Sequence, residues 1–169
     1  LTNEAKSMIS NAVWNLGGSG MDIRTDEYYV QERDSQVFEN NSTSWVGKIG
    51  LIYVSDFGFA TGGGNSTDRM TCLNTSLRNW NDLEYVTKDC FMNNWMYKND
   101  LLQWPLNHLV NTGDFIVSLD DVWDGSGFHT SSHPATDLQN VYPSLYLDTN
   151  ITISSGTGTS SDPFILSIE

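Results

Sequence analysis

Five short apolar runs do most to restrict what this chain can fold into: IGLIYV (49–54), DFIVSL (114–119), VYPSLYL (141–147), NITIS (150–154) and PFILSI (163–168). Each is strand-length and bounded by Gly, Ser, Thr, Asn or Asp, the pattern of β-strands separated by turns. None approaches the roughly 18 apolar residues that a membrane-crossing helix needs. Ahead of them, NEAKSMISNAVWNL (3–16) places Ala5, Met8, Ile9, Ala12, Val13 and Leu16 at helical spacing, which predicts an amphipathic helix stopped by Gly17 and Gly18. Met70, Leu73, Leu77 and Trp80 repeat in the same way and predict a shorter helix near residues 70–80. The segment GFATGGGNSTD (58–68) reads as an exposed loop, since three consecutive glycines leave no side chain to bury. A helix first and strands with wide loops after it define an α+β domain with a mostly antiparallel sheet. The expected organisation is one extracellular domain over 1–169, an N-terminal helix at 1–18 and a globular head at 19–169, without internal repeats.

Charge narrows the choice of partners. The chain carries 21 acidic and 8 basic residues, a net charge of −13, and its cations form no cluster. Nothing in it would neutralise a phosphate backbone or an anionic lipid surface, so nucleic acid and membrane contact are excluded as expectations. The start LTNEAKSMIS has neither the basic end nor the apolar run of a signal peptide, and the first residue is Leu1 rather than Met. The expectation drawn from this is a chain that was either processed or cut from something longer, with an anchor removed. Scarce Lys with abundant Asn, Ser, Thr, Gly and aromatics points to an extracellular or cell-surface location. Cys72 and Cys90 enclose 17 residues; an even pair in such a chain reads as a disulfide more readily than as a metal site, the other reading being two buried thiols.

Candidate sites are few. GGSG (17–20) and GGG (62–64) lack the Lys-Ser/Thr of a nucleotide loop and read as turns. No Gly-x-Ser-x-Gly elbow or Cys-with-His signature accompanies His108, His129 or His133, so no catalytic residue is assigned and the chain is read as a non-enzyme. Asp120, Asp121 and Asp124 before Gly125 form an acidic cluster of the kind that holds calcium, although a solvated Asp-Gly turn explains the same residues. No cofactor is expected, and calcium at this cluster is the one exception the sequence admits. His129 and His133 have the spacing of a helical metal pair, but Ser131, Ser132 and Pro134 favour a surface loop. Of the six tryptophans, Trp14, Trp45, Trp80, Trp95, Trp104 and Trp123, at least four are expected in the structure's interior. One or two remain for a surface site, where aromatic faces stack on sugars and carboxylates take their hydroxyls. Trp123, beside the acidic cluster, is the first choice for ligand binding.

At WVGKIGLIYVSDFGFAT (45–61) the chain resembles uncharacterised type IV prepilin-like surface proteins of Gram-positive gut bacteria. Supporting pieces are Trp14 to Gly18, Gln31-Glu32-Arg33, Cys72-Leu73-Asn74, Asn94-Trp95, Gln103-Trp104, Tyr142 to Leu147 and SGTGTSSDPF (155–164). The resemblance implies a pilin-like subunit in which the N-terminal helix is the remnant of a membrane stem; the chain departs from it at Tyr142, where similar proteins often carry Arg. A tryptophan-led strand, a Gly/Asp-rich connection and a Pro-containing strand (104–147) are also similar to the fold shared by C-type lectins and formylglycine-generating enzymes. The combined expectation is a non-enzymatic ectodomain acting in assembly or adhesion, with protein subunits or host and bacterial surface glycans as partners. Its loops at 58–68 and 120–134 would make the contacts. The competing expectation is a calcium-dependent, lectin-like glycan-binding module.

Overall fold

A computed structural model describes residues 1–20, 22–34, 43–81, 88–97, 103–107, 115–122, 127–134, 136, 138 and 140–169. In chain order the elements are α1 (Asn3–Ser7), β1 (Ala12–Asn15), α2 (Thr25–Glu32), β2 (Ser44–Gly47), β3 (Ile49–Leu51), α3 (Val54–Phe59), α4 (Arg69–Asn74), a 3-10 turn (Leu77–Asn81), α5 (Lys88–Met92), β4 (Phe115–Val122), β5 (Gly127–Pro134), β6 (Pro143–Leu145), β7 (Ile151–Ser155) and β8 (Ile165–Ile168). The protein is α+β, and its strands pair antiparallel as expected. They do so as four separate two-stranded ladders, β1–β2, β3–β6, β4–β5 and β7–β8, rather than as one sheet among the described residues.

The predicted helix over 3–16 is overturned after its first turn. Thr2 caps α1 by accepting the Ala5 N–H at 3.1 Å, but the acceptors that would carry the helix onward have distant partners. The Lys48 ammonium donates to the Lys6 carbonyl at 3.0 Å and to the Ile9 carbonyl. The Met8 carbonyl accepts from Asp148 N, and Ser10 N–H donates to Tyr146 O. With its i→i−4 partners taken, the chain extends into β1. Burial follows the strand and not the helical stripe: Val13, on the stripe, is 62% exposed, whereas Trp14, off it, is buried. Trp14 pairs across the ladder with Trp45 and donates its indole N–H to Gly47 O at 3.0 Å. It also rests against Tyr146, ring centres 5.4 Å apart.

Two further predicted elements are shortened by capping. IGLIYV is a strand only to Leu51, because Tyr53 begins the N-terminus of α3 and Asp56 Oδ2 accepts the Tyr53 N–H at 3.0 Å. The helix near 70–80 is α4 followed by the 3-10 turn. Asp68 caps α4 through the Thr71 N–H, and the break lets Leu77 and Trp80 turn inward. The loop expected at 58–68 starts after α3, and Gly63 within it takes φ +65 with its backbone against Arg69.

Cys72 and Cys90 form a disulfide with Cα atoms 5.4 Å apart, joining α4 to α5. It lies in the main core with Tyr28, Ile52, Val54, Phe57, Leu77, Trp80 and Phe91. Trp80 donates its indole N–H to Cys72 O at 2.9 Å, so its one polar atom is satisfied in the interior. The surface loop expected over 120–134 is instead largely ladder: β4 runs to Val122 and β5 covers residues 127–134, with Asp120 opposite His129 and Asp121 opposite Phe128. The Asp124-Gly125 dipeptide between the two strands is a hairpin signal, and the strands on either side of it pair accordingly. Among the described residues, no helix is long and apolar enough to cross a membrane.

Candidate functional site

The structure turns on a carboxylate that sequence reasoning passed over. Glu32, the last residue of α2, is fully buried. Its Oε1 accepts from Ser55 N–H at 2.9 Å and Asn107 Nδ2 at 2.8 Å. Its Oε2 accepts from Arg33 Nη1 at 3.0 Å and meets the Ser55 hydroxyl. Asn107 in turn accepts the Val54 N–H at 3.0 Å and donates to Ser19 Oγ at 3.2 Å. Three side-chain acceptors, on Glu32, Asn107 and Asp56, thus cover the N–H groups at the start of α3, where a helix offers unpaired donors. Burial pushes the Glu32 carboxyl above its ordinary value, opposed by the hydrogen bonds from Ser55 and Asn107 and by the charge of Arg33. Arg33 is itself held over the rings of Tyr29 and Tyr53, 3.9 and 4.7 Å from their centres. Burial likewise raises the Tyr53 phenol, whose oxygen bridges the N–H and C=O of Asn15.

This knot fixes α3, and α3 forms one wall of an open groove of about 340 Å³. Asp56 and Phe59 come from the helix, Ile52 and Ala60 from its ends, and Ser144 from β6, which register pairs with Gly50. Trp95 and Met96 complete the lining. Trp95 is 74% exposed, yet its backbone is not loose. Asn94 is buried and donates to Phe57 O at 2.7 Å, Gly62 N–H donates to Asn93 O at 3.0 Å, and Trp95 N–H reaches Ala60 O. One turn earlier, Cys90 ties α5 to α4. The result is a large aromatic face presented to solvent on a clamped turn. Phe59, 40% exposed, extends the aromatic surface and stacks edge-on with Tyr29 at 6.2 Å.

Of the residues chosen from sequence, Asp120 and Asp121 stand in β4 with only their backbone described, and Trp123 and Asp124 lie outside the described residues. His129 and His133 belong to β5 rather than to a loop. Four residues along a strand separate them by about 13 Å, too far for a chelating pair. Among the described residues, no group of three or more His, Cys, Asp or Glu gathers to hold a metal. Trp14, Trp80 and Trp104 are buried as expected of core tryptophans, while Trp45 and Trp95 are exposed. The groove residues Asp56, Phe59 and Ser144 carried no sequence signal of their own; Trp95 carried one only as a member of the set of six tryptophans, one or two of which were expected at a surface site. Comparison with known proteins found no matching family model, no matching curated protein and no matching solved structure.

Proposed function

We propose that this chain is a non-catalytic, extracellular domain of a cell-surface or pilin-like protein, and that it acts in adhesion or assembly through the groove between α3 and Trp95. The observation that carries the reading is the exposed Trp95 face on a backbone clamped by Asn94 and, one turn back, by the Cys72–Cys90 bridge. Aromatic surface gathered in one groove, here from Trp95 and Phe59, marks an interaction site in a way that singly scattered apolar residues do not, and a rigid mount reduces the ordering cost of binding. The disulfide agrees with an oxidising compartment. The acidic balance of the chain favours neutral or cationic partners.

The test is adhesion of beads carrying the domain to mammalian epithelial cells and to Gram-positive bacterial cells. Beads carrying the wild type adhere to at least one of these surfaces, and beads carrying Trp95→Ala lose that adhesion while the domain keeps its melting temperature. Equal adhesion by both proteins, or none by the wild type, contradicts the proposal.

A further inference from the structure

We infer that the Trp95 groove recognises a pyranose sugar without an acid group, at an exposed end of a glycan. This rests on the preceding reading that the groove is the adhesive face, and it names the ligand class. The groove combines three things a pyranose ring uses. The first is flat aromatic surface from Trp95 and Phe59, on which the C–H face of the ring stacks.

The second is a pair of polar groups with capacity to spare. Asp56 gives Oδ2 to the Tyr53 N–H, and its other carboxylate oxygen and the Ser144 hydroxyl have no hydrogen-bond partner among the described residues. A carboxylate oxygen accepts from sugar hydroxyls, and a serine hydroxyl both accepts and donates. The third is scale: about 340 Å³ is at the small end of ligand clefts, suited to a terminal unit with the remainder of the glycan in solvent.

Charge selects within that class. The groove lining contains one carboxylate and no basic residue. The nearby cations of the described region are committed elsewhere: Arg33 to Glu32, and Arg69 to the carbonyls of Thr61 and Phe59. A sialylated or uronic sugar would bring its charge against Asp56 without compensation, on a chain of net charge −13. A purely apolar peptide would leave Asp56 and Ser144 covered and unsatisfied.

The experiment is a binding screen against immobilised neutral, amino-bearing and acidic glycans, followed by titration of the best free sugar with Trp fluorescence as readout. It uses the wild type, Trp95→Ala and Asp56→Asn. The asparagine variant retains an oxygen for the Tyr53 N–H, so the start of α3 keeps its cap. Melting temperatures verify that both variants fold. Binding to neutral or amino-bearing glycans is expected, weakened about tenfold or more by Trp95→Ala. Asp56→Asn should weaken neutral binding and relax the exclusion of acidic glycans. Preference for acidic glycans, or sugar binding indifferent to Trp95, overturns the inference. Absence of sugar binding with Trp95-dependent adhesion intact overturns the sugar assignment alone, whereas loss of both removes the adhesive reading as well.

Discussion

Replacing Glu32 by Ala should be among the most damaging single changes available to this protein. The carboxylate receives four hydrogen-bonding groups, and they fare differently when it is gone. Arg33, whose side chain is 26% exposed, turns to water. The Ser55 hydroxyl can rotate, and Asn107 Nδ2 keeps Ser19 Oγ. The Ser55 N–H has no other acceptor among the described residues and loses its bond outright. An orphaned buried donor costs about 1–3 kcal/mol. Adding partial loss at Asn107 and the void left by four heavy atoms brings the total to roughly 3–4 kcal/mol, within the range of about 3–5 kcal/mol seen when one partner of a buried ionic network is removed. For a chain of this size, that is a fall in melting temperature of roughly 6–16 °C. Urea unfolding of both proteins at matched pH measures it directly. A loss below about 1 kcal/mol would refute the claim that Glu32 caps α3.

The same residue gives a pH signature with a definite sign. Its folded-state value is raised by burial above the ordinary 4.5. The contribution of Glu32 to stability is therefore fully present below the unfolded value and is lost as pH rises through the folded one. Measured against Glu32→Gln, which cannot ionise, the wild type's relative stability should decline as pH rises from the ordinary carboxyl value of 4.5 through the raised folded one. A wild-type advantage that grows over that interval would show that the hydrogen bonds outweigh burial.

Other predictions address the frame around the groove. Reducing the Cys72–Cys90 bridge, or replacing both cysteines with Ser, should remove about 3 kcal/mol, the chain-entropy value for a loop of this length; an unchanged denaturation midpoint would contradict it. Gly63→Ala should cost about 2 kcal/mol or more, because its φ is +65 and a Cβ would lie 2.3 Å from Arg69 N. Lys48→Met leaves the Lys6 and Ile9 carbonyls without their cation and should cost about 1–3 kcal/mol, with faster hydrogen exchange in β1 as the local readout.

The class of the fold was legible because it rests on periodicity. The runs 114–119, 150–154 and 163–168 each correspond to a strand, and the cysteine pair to a bridge. Elements defined by polar burial were not legible. α2 buries Thr25, Tyr28 and Glu32, a stripe with one aromatic and no aliphatic residue, so an apolar pattern does not register. The N-terminal stripe misled for the converse reason. Its spacing was helical, but Lys48, Asp148 and Tyr146 supply competing hydrogen bonds from more than 30 residues away. The candidate site depended on the same long-range placement. Asp56, Ser144 and Trp95 are brought together by the strand pairing of Gly50 with Ser144 and by the hydrogen bond from Asn94 to Phe57 O, contacts between distant parts of the chain that local sequence does not encode.

The most direct test of the account is the adhesion of beads carrying wild-type domain or Trp95→Ala to mammalian epithelial and Gram-positive cells, with melting temperature recorded for both proteins. The account predicts wild-type adhesion that the substitution abolishes without a change in stability, since the indole is 74% exposed and contributes little to the core. Adhesion that survives the substitution, or that the wild type never shows, would contradict the claim that this groove is the working face of the protein.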